Sequence, residues 1–397
     1  MIRLSDKVNS LPESETIAMA RKSRALKAAG LDVINLSLGE PDFFTPNEVK
    51  EAAKNAIDQN FSFYTNVSGY EELRDAICKK FLRDNSLTYQ RENIVVSTGA
   101  KHSIINVLMA VINPNDEVVI PAPYWVSYQS MVSFVGGKSV IAKAGIETDF
   151  KLSAAQLESF ITPNTKAIIF SSPCNPTGSV YRETELRAWA EMLKKYPDVL
   201  IISDEIYEYI NFSGNHFSIA QVNGMQERTC IINGLSKGYA MTGWRVGFIA
   251  APAELAKACD KIQGQFTSAT SSISQKACEE AMHIAPQQLK YMLEAFRERR
   301  DVFYRALQEI KGLKLNLPDG AFYFFPDVST FFGKSFDGKI IQDSEDLATL
   351  LIDKAHVATV TGKAFGAPEC IRFSYAISKE RLVEAVERMK KIFDKIQ

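Results

Sequence analysis

Six short apolar runs, at residues 94–97, 118–120, 167–170, 200–203, 230–232 and 246–249, constrain this chain more than any other feature. They do not alternate with polar residues. A strand that is apolar at every position is covered on both faces, whereas a strand with one wet face alternates. Helical patterns at 101–111, 183–194 and 253–261 fall between some of these runs. The expected architecture is therefore α/β, a large domain around a mostly parallel sheet.

The rest of the chain has a different rhythm. A long helix is expected over 287–312, then a strand at 321–325, a helix at 344–355, strands at 357–360 and 371–375, and a final helix from Ser378. That pattern suits a smaller α+β domain. Near the start, a helix over 15–29 ends at Gly30, and a short strand covers 33–37. Thr45 has the character of a helix N-cap, with Pro46 in the first helical position and Glu48 completing a capping box, so a helix is expected to about residue 58. Another follows over 71–83. The expected division is 46–286 for the large domain and 1–45 with 287–397 for the small one. A length of 397 residues accommodates two cores.

Composition narrows the function. Lys plus Arg number 46 against 47 Asp plus Glu, a net charge of -1, so there is no electrostatic footprint for nucleic acid or an anionic membrane. The first ten residues carry no apolar core of a signal peptide. The six cysteines are scattered without a CxxC pair, as expected of reduced thiols in a cytoplasmic protein. Four histidines without ligand spacing point away from a metal site.

In α/β sheets, functional groups collect beyond the carboxyl ends of the strands. Four of the apolar runs are followed there by polar motifs: Thr98-Gly99-Ala100-Lys101, Ser171 to Gly178 around Asn175, Asp204-Glu205-Ile206-Tyr207, and Ser236-Lys237. Each alone is ordinary. A glycine turn into a helix offers free amides to a phosphate but usually binds nothing. An acid at a strand end is commonly only a cap. Their joint occurrence is not ordinary. With Gly39-Glu40-Pro41-Asp42-Phe43, Tyr64, Pro121-Ala122-Pro123-Tyr124-Trp125, Asn175-Pro176-Thr177-Gly178, Arg245 eight residues after Lys237, and Arg372-Phe373-Ser374-Tyr375, they span nearly the whole chain. In this set and order the chain resembles the fold-type I, class I pyridoxal-phosphate aminotransferases, on the bacterial aspartate aminotransferase branch.

The resemblance implies a seven-stranded sheet, pyridoxal 5'-phosphate as cofactor and a role for each matched residue. Lys237 would hold the cofactor covalently and, once freed, shuttle the substrate Cα proton. Asp204 would pair with the pyridine nitrogen. Tyr207 and Asn175 would donate to the ring oxygen, and Trp125 would stack on the ring. Backbone groups of Gly99, Ala100 and Lys101, with Ser236 and Arg245, would hold the phosphate. Arg372 would clamp the substrate α-carboxylate near the Gly39 backbone. Thr16, in Ser14-Glu15-Thr16, and Lys101 would face the distal carboxylate of aspartate or glutamate. Tyr64 would reach the cofactor phosphate of the other subunit in a homodimer with shared active sites. The partners implied are amino acids and 2-oxo acids, most simply aspartate and 2-oxoglutarate. Leu11-Pro12-Glu13 lacks the basic residue that some relatives carry nearby, which speaks against larger acids such as prephenate.

Other chemistries on the same scaffold, such as an aromatic- or alanine-type aminotransferase, a β-lyase or a synthase, stay open at this point. A non-catalytic ligand sensor is disfavoured, since Lys237, Asp204 and Arg372 are all present. A nicotinamide dehydrogenase fails because no GxGxxG follows a strand.

Overall fold

A computed structural model describes residues 2–9, 11, 13 and 15–397. Its central element is a seven-stranded sheet formed by β1 Ile94–Ser97, β2 Glu117–Ala122, β3 Lys138–Lys143, β4 Thr165–Ser171, β5 Leu200–Asp204, β6 Thr229–Gly234 and β7 Gly247–Ala250. The spatial order is β1-β7-β6-β5-β4-β2-β3. From β3 to β6 all pairings are parallel, and β7 runs antiparallel to both β6 and β1.

The sheet explains the unbroken apolar runs. Ala167 and Ile169 of β4 face one core, with Ile104 and Leu108 of the helix Ala100–Val111. Ile168 and Phe170 face another, with Trp189 of the helix Glu183–Leu193. Successive side chains of a strand point to opposite faces, so two covered faces require apolar residues throughout. The six expected strands are present. The seventh, β3, lies at the sheet edge and has the mixed sequence Lys-Ser-Val-Ile-Ala-Lys, with both terminal lysines exposed. Charged ends suit an edge strand and hide it from an apolar-run criterion.

The later part of the chain forms small sheets and helices. Val360–Thr361, Ile371–Ser374 and Tyr323–Phe324 make an antiparallel sheet with Ile371–Ser374 in the middle. Val357–Ala358 pairs instead, in parallel, with Ile34–Asn35. The strand expected over 357–360 is thus split at Thr359, because its two halves pair in different sheets. The long helix runs Lys290–Leu307 after a 3-10 turn at Pro286–Leu289, shorter than the expected 287–312. It packs against Lys379–Phe393. Phe296, Phe303, Phe322, Phe324 and Phe373 fill the core between them. Ile206 and Tyr207, just past β5, are buried in this same core, so the chain after Asp204 is anchored from the side opposite its strand.

One cap expectation is corrected. The helix Asn47–Asp58 has Pro46, not Thr45, as its N-cap and no side-chain cap among the described residues. The Thr45 hydroxyl donates to the Ala240 carbonyl at 3.0 Å and accepts from Trp244 Nε1 at 3.0 Å. A tertiary tie to the segment after Lys237 has taken the group that would have capped the helix. Among the described residues no helix is long and apolar enough to cross a membrane.

Candidate active site

The carboxyl ends of β4, β5 and β6 open onto a cleft of about 290 Å³. All the site residues expected from the sequence line it, except Gly99 and Tyr64. Thr16 is among the lining residues, whereas Pro12 and Ser14 of the same segment lie outside the described residues.

Lys237 stands just past β6, and its Nζ donates to the Gly39 carbonyl. Burial pushes its amine down to about 8; Arg372 and Arg245 act in the same direction, while Glu40 and Asp204 oppose them. A lysine in that range has an appreciable neutral fraction near neutral pH, as a nucleophile or proton acceptor requires. Asp204 ends β5. Its Oδ2 accepts from the Tyr128 hydroxyl at 2.6 Å and its Oδ1 from the Ile206 amide at 3.3 Å. Burial still raises this carboxyl to about 6, so two donors do not offset the loss of water. Such a carboxylate gains from a cationic partner in the cleft.

A cradle for an anion lies beside these two. Gly99, with φ 85°, caps the helix Ala100–Val111. The first amides of a helix have no intrahelical acceptor, so those of Ala100 and Lys101 are available to a ligand. Gly247 lets this turn approach the sheet: a Cβ there would stand 2.2 Å from the Ala100 nitrogen. The Arg245 head lies against Gly99, where a Cβ would be 2.3 Å from Nη2, and its Nη1 donates to the Thr242 carbonyl at 2.9 Å. Ser236 lines the same cleft.

Arg372 comes from the strand Ile371–Ser374 and is buried. Its Nη1 donates to Asn175 Oδ1 at 2.9 Å and its Nη2 to the Ser37 carbonyl at 2.6 Å, while Nε is buried without a partner among the described residues. The Arg372 bond occupies the oxygen end of the Asn175 amide, leaving its NH2 as the end free to donate. Lys101 is exposed as a residue, with its Nζ 4.9 Å from the Trp125 ring centroid; partial loss of water around the amine and the nearby Arg245 push it down.

A depressed lysine, a buried acid wanting a cation, an amide cradle with an arginine, and an aromatic wall fit the aldehyde, pyridine, phosphate and ring of pyridoxal phosphate. The sequence model for aminotransferase class I and II matches residues 31–389. The chain belongs to the class I and II aminotransferases.

This aminotransferase is 48% identical to the aspartate/prephenate aminotransferase of Cereibacter sphaeroides over 98% of each chain. It is 47% identical to the bifunctional aspartate aminotransferase and glutamate/aspartate-prephenate aminotransferase of Petunia hybrida, over 98% of this chain and 82% of that one. Among solved structures, the aspartate aminotransferase of Rhizobium meliloti superposes with a TM-score of 0.96 at 40% identity, covering both chains fully. That of Thermus thermophilus with maleate gives 0.92 at 38%, covering 99% of this chain and 100% of that one.

Some groups that hold this aminotransferase's cleft-lining residues from behind leave no clear sequence signal. Tyr128 holds Asp204, and the Tyr323 hydroxyl pairs with that of Tyr207 at 2.7 Å. In a single sequence both look like core aromatics. The Ser37 carbonyl is backbone and leaves no side-chain signal. Behind Asp204, the structure also gathers Glu205, Glu208 and His216, a grouping that histidine spacing did not reveal. Its carboxylates are already engaged: Glu205 by His216, Ser203 and Ser218, and Glu208 by Lys80, Asn85 and Asn233. Tyr64 stands away from the cleft of its own chain and is 98% exposed, beside Phe63 at 81%.

Proposed function

We propose that the protein transfers the amino group of aspartate to 2-oxoglutarate, with pyridoxal 5'-phosphate held on Lys237. The observation that carries this reading is one cleft lined by two cations besides Lys237 and Arg245. Arg372 suits an α-carboxylate and Lys101 a distal one. The names of the relatives support the same substrate. The cofactor would supply an electron sink for the charge left when the Cα proton departs.

The protein's own groups do the rest. Lys237 takes and returns the proton at the substrate Cα. Asp204 keeps the ring nitrogen charged, Tyr207 and the Asn175 NH2 donate to the ring oxygen, and Trp125 covers one face. The backbone of Gly99, Ala100 and Lys101, with Ser236 and Arg245, holds the phosphate. Arg372 orients the substrate beside Gly39, and Thr16 with Lys101 reads its far end. On this reading the small domain, 1–45 with 287–397, closes over the large domain, 46–286. The enzyme works in the cytoplasm, which its six unpaired cysteines favour.

Purified holoenzyme supplied with aspartate and 2-oxoglutarate is expected to form oxaloacetate and glutamate. Absence of transfer from aspartate, with transfer from another donor in a panel of amino and 2-oxo acids, would replace the substrate but not the chemistry. The panel includes prephenate, because the Cereibacter relative's name carries it. Hydrogen bonds to a charged group contribute about 1.5–3 kcal/mol, so Lys101→Ala is expected to lower kcat/KM for aspartate by roughly 10- to 100-fold. A hydrophobic amino acid is expected to be far less affected. Equal losses for both donors would assign Lys101 to the phosphate or the fold.

We further propose a homodimer in which Tyr64 completes the partner's phosphate site, a role its exposure leaves it free to take. Lys237→Ala and Tyr64→Ala proteins, each impaired alone, are expected to regain activity when refolded together. One site of the heterodimer then carries both defects and the other neither. Heterodimers that form without such recovery would confine Tyr64 to its own subunit.

A further inference from the structure

Tyr323 is fully buried and touches three parts of this site. Its hydroxyl and that of Tyr207 are 2.7 Å apart. The Arg372 guanidinium lies 4.6 Å from its ring centroid. A Cβ on Gly39 would stand 2.6 Å from its hydroxyl, and the Gly39 carbonyl is the acceptor for Lys237 Nζ. One side chain therefore adjoins the proposed ring-oxygen donor, the proposed carboxylate clamp and the turn that holds the lysine.

We propose that Tyr323 is a positioning residue with two separable parts, a hydroxyl that aims the Tyr207 hydroxyl and a ring that holds Arg372 in place. This rests on the roles given above to Tyr207 and Arg372. Two phenols that share one hydrogen bond use one proton between them, and the second remains available to another acceptor. The nearby Arg372 charge opposes the upward push of burial on the Tyr323 hydroxyl. It acts on the Tyr207 hydroxyl in the same sense, so either phenol can donate to the other; with Tyr323 as the donor, the Tyr207 proton is left for the cleft. Without the Tyr323 hydroxyl, Tyr207 loses the partner that fixes its direction. The ring acts separately. A guanidinium over an aromatic face is held by the ring quadrupole, most strongly where water is excluded. Arg372 also lies 4.9 Å from the Phe365 ring, so loss of Tyr323 opens one of two aromatic supports.

The test uses holoenzyme and two readouts besides turnover: the pH midpoint of the cofactor's visible absorbance, and the Kd for succinate, an unreactive dicarboxylate. A hydroxyl donated to a charged oxygen favours the deprotonated form, so Tyr207→Phe is expected to raise the midpoint by about one pH unit. Tyr323→Phe is expected to raise it nearly as much and to leave the succinate Kd within about twofold, since the ring remains. The double variant is expected to shift no further than Tyr207→Phe alone, because the two hydroxyls act as a unit. Tyr323→Leu is expected to weaken succinate about tenfold. An unmoved midpoint in Tyr323→Phe, or additive shifts in the double variant, would overturn the hydroxyl's role; a folded Tyr323→Leu with unchanged succinate affinity would overturn the ring's. Should Tyr323→Leu not fold, Tyr323→Met, which fills much of the space without a ring, takes its place in the succinate measurement, and the Phe variants still decide the hydroxyl's role. If Tyr207→Phe does not move the midpoint, or Arg372→Lys does not weaken succinate, the roles of those residues fail and this inference with them.

Discussion

Replacing Lys237 with alanine is expected to lower the transamination rate by at least about 10⁴-fold, since in the proposed role one amine would serve as both covalent anchor and proton shuttle. Sodium borohydride added to the wild-type holoenzyme is expected to fix the cofactor onto a single peptide containing Lys237. An adduct on any other lysine would refute the assignment. Lys237→Arg keeps the charge but supplies neither a nucleophile nor a practical proton acceptor, so it is expected to be as inactive as the alanine variant. The depressed amine adds a pH dependence. With its Nζ at about 8 in the cofactor-free protein, the neutral form is fully present only above that value. The rate at which apoprotein captures pyridoxal phosphate is therefore expected to fall about tenfold per pH unit below it. A flat capture rate between about pH 6 and pH 8 would mean that Lys237 is neutral throughout that range.

Asp204→Asn is expected to lower kcat by about 10²- to 10³-fold, the usual loss when one preorganised group facing developing charge is removed. The same change is expected to stabilise the cofactor-free protein. Asp204 is raised by burial to about 6, above the ordinary carboxyl value of 3.8. The folded state thus holds this proton more tightly than the unfolded state. The group favours folding below the ordinary value, and that stability is lost as pH rises through about 4 to 6. Two units correspond to about 3 kcal/mol at most. Asparagine removes the ionisation, so above about pH 6 the cofactor-free variant is expected to melt higher than cofactor-free wild type, with the difference vanishing near pH 4. A variant that melts lower at neutral pH would show that the carboxylate is already compensated by its hydrogen bonds. The residue is thus expected to cost stability in the empty fold and to gain its partner only when the cofactor's ring nitrogen is present.

How far this was legible in the sequence depended on the kind of signal. β4 and β5 announce themselves because burial on both faces demands apolar residues at every position. β3, at the edge, has no such demand and was missed. The helix Ser272–His283 was missed as well, its pattern diluted by serines and charged residues. Thr45 carried a capping signature that is locally sound, yet its hydroxyl was drawn into a tertiary bond 195 residues away in the chain. Local propensity cannot foresee competition of that kind.

The sequence by itself determined the α/β sheet, the polar motifs at its strand ends and the residue types able to hold a phosphate, an aldehyde and a carboxylate. These follow from periodicity and side-chain chemistry, which are written position by position. The tertiary structure alone decided the state of those groups. It buried Asp204, half-buried Lys237 and so moved their proton affinities. It set Tyr128 on Asp204 and Tyr323 between Tyr207 and Arg372. It turned the Asn175 amide by occupying its oxygen. It left Tyr64 exposed, away from its own cleft. Proton affinity and hydrogen-bond direction depend on what surrounds a group in space, and those surroundings come from segments 76 to 197 residues apart in the chain, which no local pattern records.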